Sequence, residues 1–156
     1  MEAIFDTRKG EQGTAAADIL LVEDDVNDAE LTLRALRPSG HRIEHVTDGA
    51  EALDYIASTQ LFADKRATSA PKVILLDLKL SKIGGLQVLR QLKSDDRTRG
   101  IPIVVLTSSK LAIELAESYK LGVNSYVIKP TNIDKFAEVI TKIAHYWLVI
   151  NEAPPL

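Results

Sequence analysis

Five short apolar runs punctuate this chain, and segments of helical period separate them. The runs are Ile19–Val22, Arg42–Val46, Val73–Asp77, Ile103–Thr107 and Ser125–Ile128. They are rich in Val, Ile and Leu, and several lack any polar alternation, as strands do when both faces of a parallel sheet are covered. Between them, apolar residues recur every three or four positions: Ala29/Leu33/Leu36, Ala50/Leu53/Ala57, Leu86/Leu89/Leu92, Ala112/Leu115/Ala116/Tyr119 and Phe136/Ile140/Ile143/Trp147. Five strands alternating with five helices predict a doubly wound, three-layer α/β sandwich.

Local signals agree with this phasing. Asp48 followed by Glu51 has the form of a capping box opening the second helix, and Thr131 or Asn132 can cap the fifth. Pro38-Ser39-Gly40 ends the first helix and Gly122 closes the fourth. The polar connection from Gln60 to Pro71 is longer than most loops of such folds, and reads as an extended second helix followed by a surface loop.

Composition narrows the function classes. With 156 residues, 46% of them hydrophobic, the chain has material for one domain with a real core. A net charge of -3, from 22 acidic and 19 basic residues, disfavours a nucleic-acid surface. There is no cysteine for disulfides, thiolate metal sites or nucleophilic catalysis, and the three histidines (His41, His45, His145) lack zinc spacing. No apolar run is long enough to span a bilayer, and Met1 to Ala17 holds no signal-peptide stretch. The expectation is a soluble, cytoplasmic protein without a membrane partner. It comprises a flexible extension over 1–17, a domain over 18–150 and a short tail over 151–156.

Doubly wound sheets work at the carboxyl ends of their strands. Strand one ends in Glu23-Asp24-Asp25, with no glycine-rich phosphate cradle. Successive acids at such an edge suit a hard divalent cation, although a solvated turn into a helix would look the same. Strand three ends in Asp77, a carboxylate after four apolar residues that needs a cation or a metal unless it is a simple turn residue. Strand five delivers Lys129, held extended by Pro130, and strand four delivers Thr107, which could equally cap the following helix. Each residue alone is a weak signal. The set, one member or more per strand end, is specific.

In these motifs, Ile-Leu-Leu-Val-Glu23-Asp24, Val-Ile-Leu-Leu-Asp77-Leu, Val-Val-Leu-Thr107-Ser108 and Tyr126-Val-Ile-Lys129-Pro130, the chain resembles a receiver domain of a two-component response regulator over roughly residues 18 to 150. Ser118-Tyr-Lys-Leu-Gly-Val-Asn-Ser-Tyr, the long loop before strand three and the closing His-Tyr-Trp147-Leu resemble the small regulators of bacterial and cyanobacterial phytochromes. The resemblance implies a flavodoxin-like fold with strand order 2-1-3-4-5. It also implies that Asp77 accepts a phosphoryl group from a histidine kinase. Mg²⁺ would be held by Asp24, Asp77 and the backbone carbonyl of Lys79, with Glu23 on a metal-bound water. Lys129 would pair with the phosphoryl group or the Asp77 carboxylate, Thr107 would hydrogen-bond a phosphoryl oxygen, Tyr126 would turn inward as Thr107 moves, and the Lys129-Pro130 bond would be cis. Such a protein is a phosphoacceptor, with at most slow self-dephosphorylation, and not an enzyme in the usual sense.

Two departures stand out. Relatives have proline at the Ser81 position and Asp or Asn at Gly84, and Gly84-Gly85 should loosen the loop after Asp77. Lys79 and Ser109 fall where the family tunes phosphoryl lifetime. With the chain ending just past the fifth helix, the expected output is protein–protein contact or relay to a phosphotransfer protein. The apolar tail Tyr146-Trp-Leu-Val-Ile150 packs on its own sheet or joins the fourth and fifth helices in a homodimer. An aspartate-nucleophile phosphohydrolase is the rival, but it wants an acid where Lys79 stands.

Overall fold

Alternate residues of each central strand go to opposite faces of the sheet, and in this protein both faces are dry. In the computed structural model, which describes residues 17–63 and 70–154 and the side chains of all of these except 60–63, the elements are β1 (Ile19–Val22), α1 (Val26–Leu36), a 3₁₀ turn (Arg37–Ser39), β2 (Ile43–Val46), α2 (Gly49–Ala63) and β3 (Val73–Leu76). They continue through α3 (Gly85–Ser94), β4 (Ile103–Thr107), α4 (Ala112–Lys120), β5 (Ser125–Ile128), α5 (Ile133–His145) and a π-helical tail (Tyr146–Ile150). The strands form one parallel sheet in the order β2-β1-β3-β4-β5, the flavodoxin-like arrangement expected.

Leu20, Val22, Ile74, Leu76, Ile103 and Val105 face one core, shared with Ile56 of α2 and Val88, Leu89 and Leu92 of α3. Ile19, Leu21, Val73, Leu75, Val104 and Leu106 face the other, shared with Leu36 of α1 and Phe136, Ile140 and Ala144 of α5. That two-sided burial is why the strands read as unbroken apolar runs: each fully buried aliphatic side chain is worth about 1.5–3 kcal/mol, whichever face it takes.

The helix ends follow the local chemistry. Asp48 Oδ1 accepts from the Glu51 amide at 2.8 Å, while Glu51 reaches back to the Thr47 amide rather than to Asp48 itself. Asn132, not Thr131, caps α5 by accepting from Lys135 N. Gly40 and Gly122 take left-handed backbone where α1 and α4 stop. The second helix extends to Ala63 as expected, whereas the loop over 64–69, and all of the expected N-terminal extension except Ala17, lie outside the described residues. Ala17 itself is buried and donates to the Tyr55 hydroxyl.

One helix turns its apolar stripe to solvent. In α4 all four residues of the stripe Ala112/Leu115/Ala116/Tyr119 are exposed, and the only buried residue of the helix is Ser118. Periodicity identifies which residues share a face but not which face meets the core. The tail divides in two: Trp147 and Leu148 pack on the core shared with α5, while Tyr146, Val149 and Ile150 are exposed.

Candidate functional site

Three backbone hydrogen bonds carry the sheet ladder one residue past the strands and thereby place the site. Glu23 N donates to Val46 O at 3.1 Å, Asp77 N to Val22 O at 3.1 Å and Lys129 N to Thr107 O at 2.8 Å. Because the strands are parallel, all four segments deliver their next residue at the same edge.

The acids are crowded there. Carboxylate oxygens of Glu23, Asp24 and Asp77 all lie within 4.8 Å of one another, a cluster with the donor set of a divalent-cation site. Lys129 supplies the compensating charge. Its Nζ donates to Glu23 Oε1 at 2.6 Å, Asp28 Oδ2 at 2.8 Å and Asp77 Oδ2 at 3.3 Å. Burial pulls the Lys129 ammonium down, but its hydrogen bonds to Asp28 and Glu23 and the charges of Glu23 and Asp77 outweigh it and hold the group above its ordinary value. Glu23 is pushed up to about 8, first by burial and then by the neighbouring Asp77 carboxyl, with Lys129 opposing. His45 Nε2 lies 2.8 Å from the Glu23 carbonyl, so that nitrogen is the donor and fixes the backbone beneath the cluster.

The three successive acids of strand one separate by role. Glu23 is buried and Asp24 is exposed beside it. Asp25, also exposed, stands outside the cluster and caps α1, its Oδ1 accepting from Asp28 N at 2.8 Å. That is the plain turn-and-cap reading, realised at one of the three positions.

On the β4 side, Thr107 is fully buried, and its Oγ1 accepts from Ser109 N at 3.2 Å. It does not cap α4, whose N-cap is Leu111 with no side-chain bond. Ser109 is the hub of this loop: its hydroxyl donates to Glu114 and accepts from Leu111 N, and its carbonyl accepts from the Tyr126 hydroxyl at 3.1 Å. Tyr126 already packs against the core in this state, and burial raises its phenol above the usual value. The Lys129–Pro130 bond is trans, correcting the cis expectation; the tertiary amide favours trans by about 0.5–1 kcal/mol unless its surroundings impose the other isomer.

Beyond Asp77, the two glycines differ. Gly84 has ordinary extended backbone and open space, whereas a Cβ on Gly85 would collide with the Asp77 carbonyl and the Leu78 Cα. Gly85 therefore lets α3 start against the backbone that carries Asp77.

Known proteins place this geometry. The response regulator receiver domain family matches residues 19–141. The chain belongs to that family. FilR2 of Methanothrix harundinacea, named as a probable methanogenesis regulatory protein, is 41% identical over 138 residues, covering 87% of this chain and 86% of FilR2. Response regulator Rcp1 of Synechocystis is 34% identical, over 83% of this chain and 88% of Rcp1, and its Mn²⁺-bound structure matches with a TM-score of 0.78 over 88% and 99% of the two chains. The phosphorylated cyanobacterial phytochrome response regulator RcpA is 36% identical, with a TM-score of 0.80 over 90% of this chain and 99% of RcpA. The chain is thus a receiver domain close to the Rcp1 and RcpA regulators, in a family of phosphoacceptors that bind divalent metal through clustered acids.

Two residues of this receiver site escaped the sequence reading. Asp28 lies one turn into α1 rather than at a strand end, and helical spacing from Asp24 and Asp25 was its only signal. Glu114 meets the site loop only through Ser109, a contact no spacing announces.

Proposed function

We propose that this receiver takes a phosphoryl group on Asp77 from a sensor histidine kinase, with a bacterial or cyanobacterial phytochrome as the class of kinase. One observation carries the reading: three carboxylates and one buried lysine, delivered by the ends of three strands, meet at a single sheet edge. An Asp77 oxygen forms the new O–P bond while the P–N bond of the phosphohistidine breaks, and the leaving imidazole retains the electron pair. Asp24, Asp77 and the Lys79 carbonyl are the residues to hold Mg²⁺, with Glu23 on its water. The metal would neutralise charge on the transferring group. The uphill shift of Glu23 fits this, because crowded buried acids are what a cation relieves.

Lys129 and the Thr107 hydroxyl would bind phosphoryl oxygens. The Thr107 oxygen accepts from Ser109 N and the Ser109 carbonyl accepts from the Tyr126 hydroxyl, so the three residues are linked. Movement at Thr107 would therefore reach Tyr126 and the α4 surface. Lys79 at the position of a hydrolase's second acid favours a phosphoacceptor with slow self-dephosphorylation over a catalytic phosphohydrolase.

Output through protein contact is supported by the outward apolar stripe of α4. Ile113 is 77% exposed and Tyr119 53%, with Ile128 of β5 and the tail residues Val149 and Ile150 also bare. A second copy of this chain is the partner we assign to these faces, with a downstream target or phosphotransfer protein as its competitor. The reading includes a cytoplasmic location; among the described residues no helix is long and apolar enough to cross a membrane.

The test is incubation with Mg²⁺ and acetyl phosphate, and separately with a phosphorylated phytochrome kinase. Mass spectrometry should find one phosphoryl group on wild-type protein and none on Asp77→Asn, with light scattering reporting any change of oligomer. A chain that takes no phosphoryl group from either donor overturns the reading, and transfer from other kinases only would remove the phytochrome assignment.

A further inference from the structure

Lys129 has three N–H donors and three carboxylates to satisfy, and its bond to Asp77 is the longest of the three. The lysine side chain is 7% exposed, so no water shell competes for it. The three acids are unequal in what they would lose. Glu23 is 2% exposed and Asp77 9%, whereas Asp28 is 33% exposed at the start of α1. A carboxylate that reaches solvent can replace a lost ammonium with water; a buried one cannot.

When Asp77 becomes an acyl phosphate, the new oxygens need a donor from Lys129. One of the existing bonds must then lengthen or break. Asp28 is the partner that water can serve most readily, and its own backbone is fixed, since its amide is held by Asp25 and its carbonyl by the Thr32 hydroxyl. The carboxylate therefore stays in place while the lysine moves.

Building on the phosphoacceptor reading above, we propose that Asp28 is a positioning residue that holds the Lys129 ammonium back from Asp77 in the unphosphorylated chain and releases it when a phosphoryl group arrives. The exchange involves no covalent change and no proton transfer at lysine. The O–P bond to Asp77 forms, the bond from phosphorus to the leaving group breaks, and Lys129 trades an oxygen of Asp28 for one of the phosphoryl group. Asp28 thereby sets how strongly the site favours the phosphorylated state, and the release frees a charge at the first turn of α1.

Asp28→Asn keeps the shape and a hydrogen-bond acceptor while removing the charge that retains the lysine. It should bind beryllofluoride, a phosphoryl mimic, about 3–10-fold more tightly in Mg²⁺, an increase on the scale of one ordinary net hydrogen bond, because the asparagine keeps a neutral acceptor. Phosphorylation by acetyl phosphate should rise in parallel, and Asp28→Glu should stay near wild type. In a Lys129→Met background, Asp28→Asn should add nothing, an outcome that a merely structural role for Asp28 would not produce. Unchanged or weaker beryllofluoride binding in a normally folded Asp28→Asn protein overturns the proposal, as does an equal gain without Lys129. Wild-type protein that takes no phosphoryl group at Asp77 would instead sink the underlying reading, so the two failures are separable.

Discussion

At the scale of single residues, the site is a balance between repulsion and one buried cation. Two unit charges about 4 Å apart interact by about 4 kcal/mol at the effective dielectric of a protein surface, and Glu23, Asp24 and Asp77 all lie within 4.8 Å of one another. Lys129 offsets part of this, and the upward push on Glu23 offsets more. Asp77→Asn should accordingly stabilise the metal-free protein by about 1–2 kcal/mol, since it removes one charge while leaving a hydrogen-bond acceptor near Lys129. Urea unfolding in chelator should show the higher midpoint for the variant, and millimolar Mg²⁺ should raise the wild type more than the variant. A variant less stable than wild type in chelator would mean that Lys129 already overcompensates the cluster. Residue identity at the strand ends was legible because an acid, lysine or hydroxyl directly after an apolar run breaks the pattern of its neighbours. Asp28 was not, because in a helix a charged residue is ordinary.

At the scale of elements, the loop from Asp77 to α3 illustrates a distinction that composition hides. Gly84-Gly85 reads as one flexible pair, yet only Gly85 is pressed against the Asp77–Leu78 backbone. Gly85→Ala should destabilise the fold by about 1–3 kcal/mol through overpacking, and it should slow phosphorylation by acetyl phosphate, because the carbonyl it displaces belongs to Asp77. Gly84→Ala, at the extended N-cap of α3 with open space for a Cβ, should change stability by less than about 0.5 kcal/mol, the gain through the unfolded chain being offset by the poorer cap. Equal effects of the two substitutions on melting temperature would refute the distinction. α4 makes the complementary point. Its apolar period faces outward, since Ser118 is buried and Glu114 accepts from the Ser109 hydroxyl while Ile113 and Tyr119 face solvent.

At the scale of the whole molecule, the end of the sheet opposite the acids is tied by one lysine. Lys93 Nζ donates to Arg99 O, Ile101 O and Asn124 Oδ1, each at 2.9 Å, and Asn124 Oδ1 also accepts from Ile103 N. A single side chain of α3 thus joins the loops that enter β4 and β5. No carboxylate is among these partners, and burial pushes the ammonium down from 10.5 to about 8. Between those two values the unfolded chain keeps a proton that the folded chain has lost, so this group's contribution to stability rises with pH across that window. The gap in urea midpoint between wild type and Lys93→Met should therefore widen from about pH 7.5 to about pH 10, against the ordinary values of the exposed lysines. A constant gap would show that the ammonium titrates equally in both states.

Sequence alone was sufficient for the order of strands and helices, the two-sided burial of the sheet and the receiver motif, because each is written locally in apolar period or in the residue after a run. The low net charge and absent cysteines set aside other chemistries for the same local reason. Tertiary structure alone decided that Lys129 serves three carboxylates including Asp28, that Asp25 caps a helix instead of joining the cluster, and that α4 turns its apolar stripe to solvent. Those outcomes depend on which groups meet in the folded chain, where distance, burial and competing charge set the partner, and none of the three is encoded in a local pattern.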